Sequence, residues 1–150
     1  MDYYASLGIG PFHVYELDTN DLENVVYRGK PANYGIAVSW TQVGSWTLEL
    51  LEPKFGESIY KEFMDEHGEG LHHMGIYLES EEEYKVACKF MESQGCERTM
   101  GGNIYGKDKD GNVKKGSFDY FDTQDKYGAV FELLDMPDEL GEPDYIYPEK

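Results

Sequence analysis

Along the chain, apolar residues fall into short runs that mostly alternate with polar ones, and Gly and Pro separate the runs. Alternation places every second side chain on one face, as in a strand half buried in a sheet. Apolar residues three and four apart mark a helix instead. On this basis residues 12–17 form a strand after the turn Gly8-Ile9-Gly10-Pro11, and the polar stretch 18–30 forms a loop. Residues 34–40 and 46–51 are two apolar runs separated by Thr41-Gln42-Val43-Gly44-Ser45, a hairpin spacing whose second arm ends at Pro53. Ser58 then opens a short helix with Ile59, Phe63 and Met64 on one face.

The rest of the chain repeats the theme with a longer helix. Residues 71–79 read as a strand. Ser80 and Glu83 form a capping box, and Tyr84, Ala87, Cys88 and Met91 follow at i, i+3, i+4 and i+7. Gly95 stops that helix. Residues 96–100, 117–122 and 129–134 read as strands, and 101–116 as an excursion around the turn Asp110-Gly111. Residues 1–7 read as the last turns of a helix capped by Gly8. The reading is an α+β domain over 1–150: an incomplete module at about 1–56, a linker helix at about 57–69, a second module at about 70–136, and an acidic, Pro-containing tail at 137–150, surface-bound or frayed.

Composition narrows the function. Thirteen basic against 30 acidic residues give a formal charge of −17, which repels phosphate backbones and anionic membrane surfaces and so predicts neither as a partner. No apolar run approaches the roughly 20 residues of a membrane-spanning helix. Aromatic residues make up 15% of the chain, enough to wall a core and argue against disorder. Cys88 and Cys96 are too few for a disulfide scaffold and read as small, partly buried thiols. With no signal-peptide pattern at the start, the expected location is cytoplasmic.

Three polar residues interrupt apolar strands. Glu49 sits in Trp46-Thr47-Leu48-Glu49-Leu50-Leu51, Glu132 in Ala129-Val130-Phe131-Glu132-Leu133-Leu134, and His73 in Leu71-His72-His73-Met74-Gly75-Ile76. On a buried face a carboxylate must be paired, hydrogen-bonded or bound to a cation. Two acids and an imidazole converging from three strands would make an O/O/N site for a divalent metal. The bland alternative is that each acid faces water on a half-exposed sheet. Lys107, Lys109, Lys114 and Lys115 gather in one loop, either a solvated turn or a patch that captures an acidic substrate tail. Asp108-Lys109-Asp110-Gly111-Asn112 lacks the distal Glu of a calcium loop and reads as a turn.

Gly70-Leu71-His72-His73-Met74-Gly75-Ile76 resembles the fifth-strand signature of the vicinal oxygen chelate superfamily, which includes glyoxalases, bleomycin resistance proteins and dioxygenases. Leu48-Glu49-Leu50-Leu51-Glu52-Pro53 resembles its fourth strand, and Tyr127-Gly128-Ala129-Val130-Phe131-Glu132-Leu133 its last; methylmalonyl-CoA epimerases and glyoxalase I are the nearest branches. The resemblance implies paired βαβββ modules whose curved mixed sheet encloses a divalent metal (Zn, Ni, Co or Mn) held by Glu49, His73 and Glu132. His72 would point to the opposite face. The family's opening strand, which carries its first ligand, has no counterpart here, and His13 lies on a strand away from the metal. The exposed edge so created favours a homodimer.

The epimerase branch carries a catalytic Glu where this chain has Asn33, which cannot accept a proton. The resemblance therefore implies a lactoylglutathione lyase-like lyase or isomerase that takes a proton beside a carbonyl. Glu49 or Glu132 would be the base, and a thiol adduct or acyl-CoA thioester the substrate. The alternatives are an acyl-CoA epimerase and a metal-free binding protein of the bleomycin-resistance type. An Fe(II) dioxygenase fits less well, because its triad uses two histidines and one carboxylate.

Overall fold

The computed structural model describes residues 1–149. In chain order the elements are α1 (Asp2–Ser6), β1 (Phe12–Asp18), β2 (Glu23–Tyr27), β3 (Lys30–Pro31), β4 (Tyr34–Val43), β5 (Trp46–Gly56), α2 (Ile59–His67), β6 (His73–Tyr77), α3 (Glu81–Ser93), β7 (Arg98–Lys107), β8 (Val113–Phe121), α4 (Gln124–Tyr127), β9 (Val130–Asp135) and β10 (Tyr145–Tyr147). They build two sheets, ordered β10-β1-β4-β5 and β3-β2-β7-β8-β9-β6. Only β6 and β9 run parallel, joined through the crossover that contains α3; every other pairing is antiparallel. The mixed α+β architecture agrees with the sequence reading.

The second sheet is covered on both faces, and alternation sorts its side chains between them. Phe121 and Leu133 face α3, where they pack with Tyr84, Cys96, Ala87, Cys88 and Met91. Phe118, Tyr120 and Leu134 take the opposite face, toward Tyr34, Ile36 and Val38 of β4 and Ile59 and Tyr60 of α2. Glu132 alternates with Leu133 and therefore belongs to this second, inner face. Both helices begin as the sequence predicts. Ser58 accepts from Lys61 N, and Ser80 from Glu83 N, each at 3.2 Å.

Several boundaries differ from the sequence reading. Residues 18–30 are not all loop: β2 lies there and pairs with β7, and it turns back into β3 through Arg28 and Gly29, both at positive φ. Charged flanks hide the Val25-Val26-Tyr27 core of that strand. Pro53 does not end β5. Its missing N–H is tolerated on an outer strand, and the ladder shifts register opposite Gly35 and Ile36 before continuing to Gly56. The 101–116 excursion is the two arms of the β7–β8 hairpin, turning at residues 108–112. The tail is surface-bound rather than frayed, since Tyr145–Tyr147 pairs with β1 and the Asp144 carboxylate accepts from Glu16 N at 2.7 Å.

Candidate metal centre

Glu49 lies on β5 directly opposite Trp40 of β4, and Glu132 lies on β9 opposite Gly75 of β6. His73 opens β6. These three strands, from both sheets, bring one oxygen of each carboxylate and a ring nitrogen of the histidine within 4.8 Å of one another. His73 Nε2 stands 2.9 Å from Glu49 Oε2 and 3.3 Å from Glu132 Oε2. Glycine at 75 makes room for this approach. A Cβ there would sit 2.9 Å from a Leu134 methyl and 3.5 Å from Glu132 Oε2.

A second layer of side chains positions these three groups. The Trp40 indole donates to Glu49 Oε1 at 2.7 Å, which leaves Oε2 to face His73. Tyr60 donates to Tyr120 at 2.9 Å, and Tyr120 stands beside Glu132 with its ring edge-on to His73. His72 Nδ1 lies 2.9 Å from His73 Nδ1. Partners of this kind orient metal ligands and tune their basicity.

The electrostatics follow from burial and from the three-way contact. Burial alone would lower the His73 pKa, but hydrogen bonds and charge from Glu132 and Glu49 override it and push the imidazole up to about 10. Burial raises the Glu132 carboxyl above its usual range, and the bond to His73 opposes that rise. His72 is pushed down to about 4 by burial and by the charge on His73, so it stays neutral. Burial and neighbouring charge keep the Tyr34, Tyr60 and Tyr120 hydroxyls protonated at neutral pH.

Metal–N and metal–O bonds are about 2.0–2.2 Å, so ligand atoms at 90–110° around one ion lie roughly 3.0–3.5 Å apart. The His73 separations of 2.9 and 3.3 Å fit that spacing. His73 Nε2 faces both carboxylates, and a divalent cation held there would take the place of a proton between them. The cluster opens into a cavity of ≈ 1170 Å³ between the sheets, walled in part by Trp40, Trp46, Tyr60, Phe63, Tyr77 and Tyr120.

The other sequence candidates scatter. Lys107, Lys109, Lys114 and Lys115 lie on the β7–β8 hairpin, and none lines the cavity. Lys114 is tied to Asp135 and to the Met136 carbonyl, each at 2.8 Å. His13 is exposed on β1, and Asn33 faces outward, accepting from the Thr19 hydroxyl. His72 departs from the expected opposite face. It precedes the first residue of β6, where alternation does not apply, and it lines the same cavity against Tyr60 and Phe63. The sequence does not show Trp40 and Tyr120 as partners of the two carboxylates. The hairpin spacing could have found Trp40, because a two-residue turn at Gly44-Ser45 sets it against Glu49.

No protein-family model and no curated protein matches the sequence. Solved structures do share its fold. A hypothetical protein from Bacillus halodurans superposes with a TM-score of 0.57 at 20% identity, covering 93% of this chain and 85% of that one. A Streptomyces coelicolor methylmalonyl-CoA epimerase variant, solved with 2-nitronate-propionyl-CoA, gives 0.56 at 18% identity, over 95% and 86%. Methylmalonyl-CoA epimerase from Mycobacterium tuberculosis gives 0.51 at 18% identity, over 88% and 74%. The class defined by this topology is the vicinal oxygen chelate fold. Two of these structures of the same fold are methylmalonyl-CoA epimerases.

Proposed function

We propose that this protein is a divalent-metal-dependent lyase or isomerase that removes a proton next to a carbonyl, in the manner of glyoxalase I. The observation that supports the reading is the convergence of Glu49, His73 and Glu132 at the floor of an aromatic cavity. A divalent ion held there (Zn, Ni, Co or Mn) would polarise the substrate carbonyl and stabilise the enediolate. Glu49 and Glu132 would hold the ion, and one of these carboxylates would take the substrate proton and return it to the neighbouring carbon. Trp40 keeps Glu49 from swinging away, and Tyr120 does the same for Glu132.

A second reading, acyl-CoA epimerisation, draws support from the epimerases that share the fold. It lacks the second base that the family carries at the position of Asn33, which faces away from the cavity. We take the protein to act on a small molecule as a cytoplasmic homodimer. The outer edge of β5 pairs with no strand among the described residues and is the natural seam for a second copy. No helix among the described residues is long and apolar enough to cross a membrane.

The test is turnover of methylglyoxal hemithioacetals made with several thiols, and of racemic acyl-CoA thioesters in deuterated water, by metal-loaded protein. Conversion of a hemithioacetal to a 2-hydroxy thioester supports the lyase reading. Deuterium exchange into the thioester alone transfers the assignment to the epimerase, and inertness toward both rejects proton abstraction.

A further inference from the structure

The cavity wall has an unusual charge balance. Among the described residues that line it there is no lysine and no arginine, whereas Glu49, Glu52, Glu69 and Glu132 all do. A divalent ion held by Glu49 and Glu132 would cancel their charge. Glu52 is matched by Lys54 at 2.9 Å, and Glu69 stands exposed. The larger cations of the molecule are committed elsewhere: Arg28 to Glu62, Arg98 to Asp119 and Lys114 to Asp135. The hairpin lysines offer no substitute. The recess that Lys114 and Lys115 line also contains Glu79, Glu81, Asp108 and Asp135. With a formal charge of −17 overall, the field at the mouth opposes any anionic substrate.

We infer that the cavity selects a ring-bearing carbonyl compound with no anionic group, either uncharged or cationic, whose oxygens reach the metal centre while its body packs on the aromatic wall. The inference rests on the metal-centre reading above and specifies its substrate. It sets nucleotide thioesters and carboxylate-tailed thiol adducts behind adducts of uncharged or amine-bearing thiols. A polyphosphate tail would meet Glu52, Glu69 and open acidic surface, with no lysine or arginine side chain to receive it.

The test uses cobalt-loaded protein and three probes sharing one chelating head: benzohydroxamic acid and its para-carboxylate and para-aminomethyl derivatives. The cobalt absorption bands report both metal occupancy and probe binding. The uncharged and aminomethyl probes are expected to bind at least tenfold more tightly than the carboxylate, with the gap narrowing as salt is added. Glu69→Lys, at a residue outside the metal centre, should narrow the gap severalfold without altering cobalt occupancy. Equal or tighter binding of the carboxylate probe, with cobalt bound, overturns the charge selection and leaves the metal centre standing. A protein that takes up no cobalt overturns the metal reading on which the inference rests.

Discussion

At the residue scale the site was legible because three side chains contradict their surroundings. Glu49, His73 and Glu132 interrupt apolar strands, and burying a carboxylate without a partner costs several kcal/mol, roughly. The sequence could not show what holds them. The Trp40–Glu49 bond depends on hairpin register, and the place of His72 depends on where β6 starts. Trp40→Phe keeps the ring but removes the donor. It should weaken metal affinity by about 10–100-fold while the melting temperature of the metal-free protein changes little, as measured by metal titration beside thermal denaturation. A donor that served packing alone would show the reverse. The His73 pKa gives a pH dependence. It is raised from 6.5 to about 10 in the folded, metal-free protein, so its contribution to stability is complete below about 6.5 and is lost as pH rises toward 10. Thermal melts of metal-free protein should therefore show a decline between pH 7 and 10 that His73→Gln lacks. Metal affinity should rise over the same interval, because the ion displaces that proton.

At the element scale, alternation located most strands and failed where charge or proline masked it. The β2 strand escapes the pattern because charged and polar residues of both signs flank its three apolar ones, and β5 outruns Pro53 because an outer strand tolerates the missing donor. The bend there relies on glycine. Gly56 has φ of 79°, and a Cβ on it would lie 2.1 Å from the Asn33 carbonyl oxygen. Gly56→Ala should cost roughly 1–3 kcal/mol, measured by urea denaturation. An unchanged midpoint would show that β5 does not need this turn to carry Glu49. The capping box of α3 was legible in full at Ser80, and its Glu83 carboxylate also reaches back, to the Glu79 N–H at 3.2 Å.

At the scale of the whole molecule, the fold class followed from the order of strands and helices, whereas the meeting of the two sheets did not. No local pattern says that β5 and β6, joined through α2 but on separate sheets, bring Glu49 to within 2.9 Å of His73. The acidic surface has its own consequence. With a formal charge of −17, self-repulsion opposes the folded state, so added sodium chloride should raise the melting temperature at neutral pH. A melting temperature that falls with salt would mean that the surface ion pairs outweigh the repulsion. Metal binding should stabilise far more: an ion present at 100 times its dissociation constant adds about 2.7 kcal/mol.

The central claim is that Glu49, His73 and Glu132 hold one divalent ion. Its most direct test is elemental analysis of untagged protein beside the Glu132→Gln variant, which removes one ligand charge and keeps the volume. The account predicts close to one zinc, nickel, cobalt or manganese per chain in the parent. It predicts a loss of at least tenfold in occupancy in the variant, with the circular dichroism spectrum retained. Equal metal content in the two proteins, or none in the parent after incubation with each ion, would contradict it.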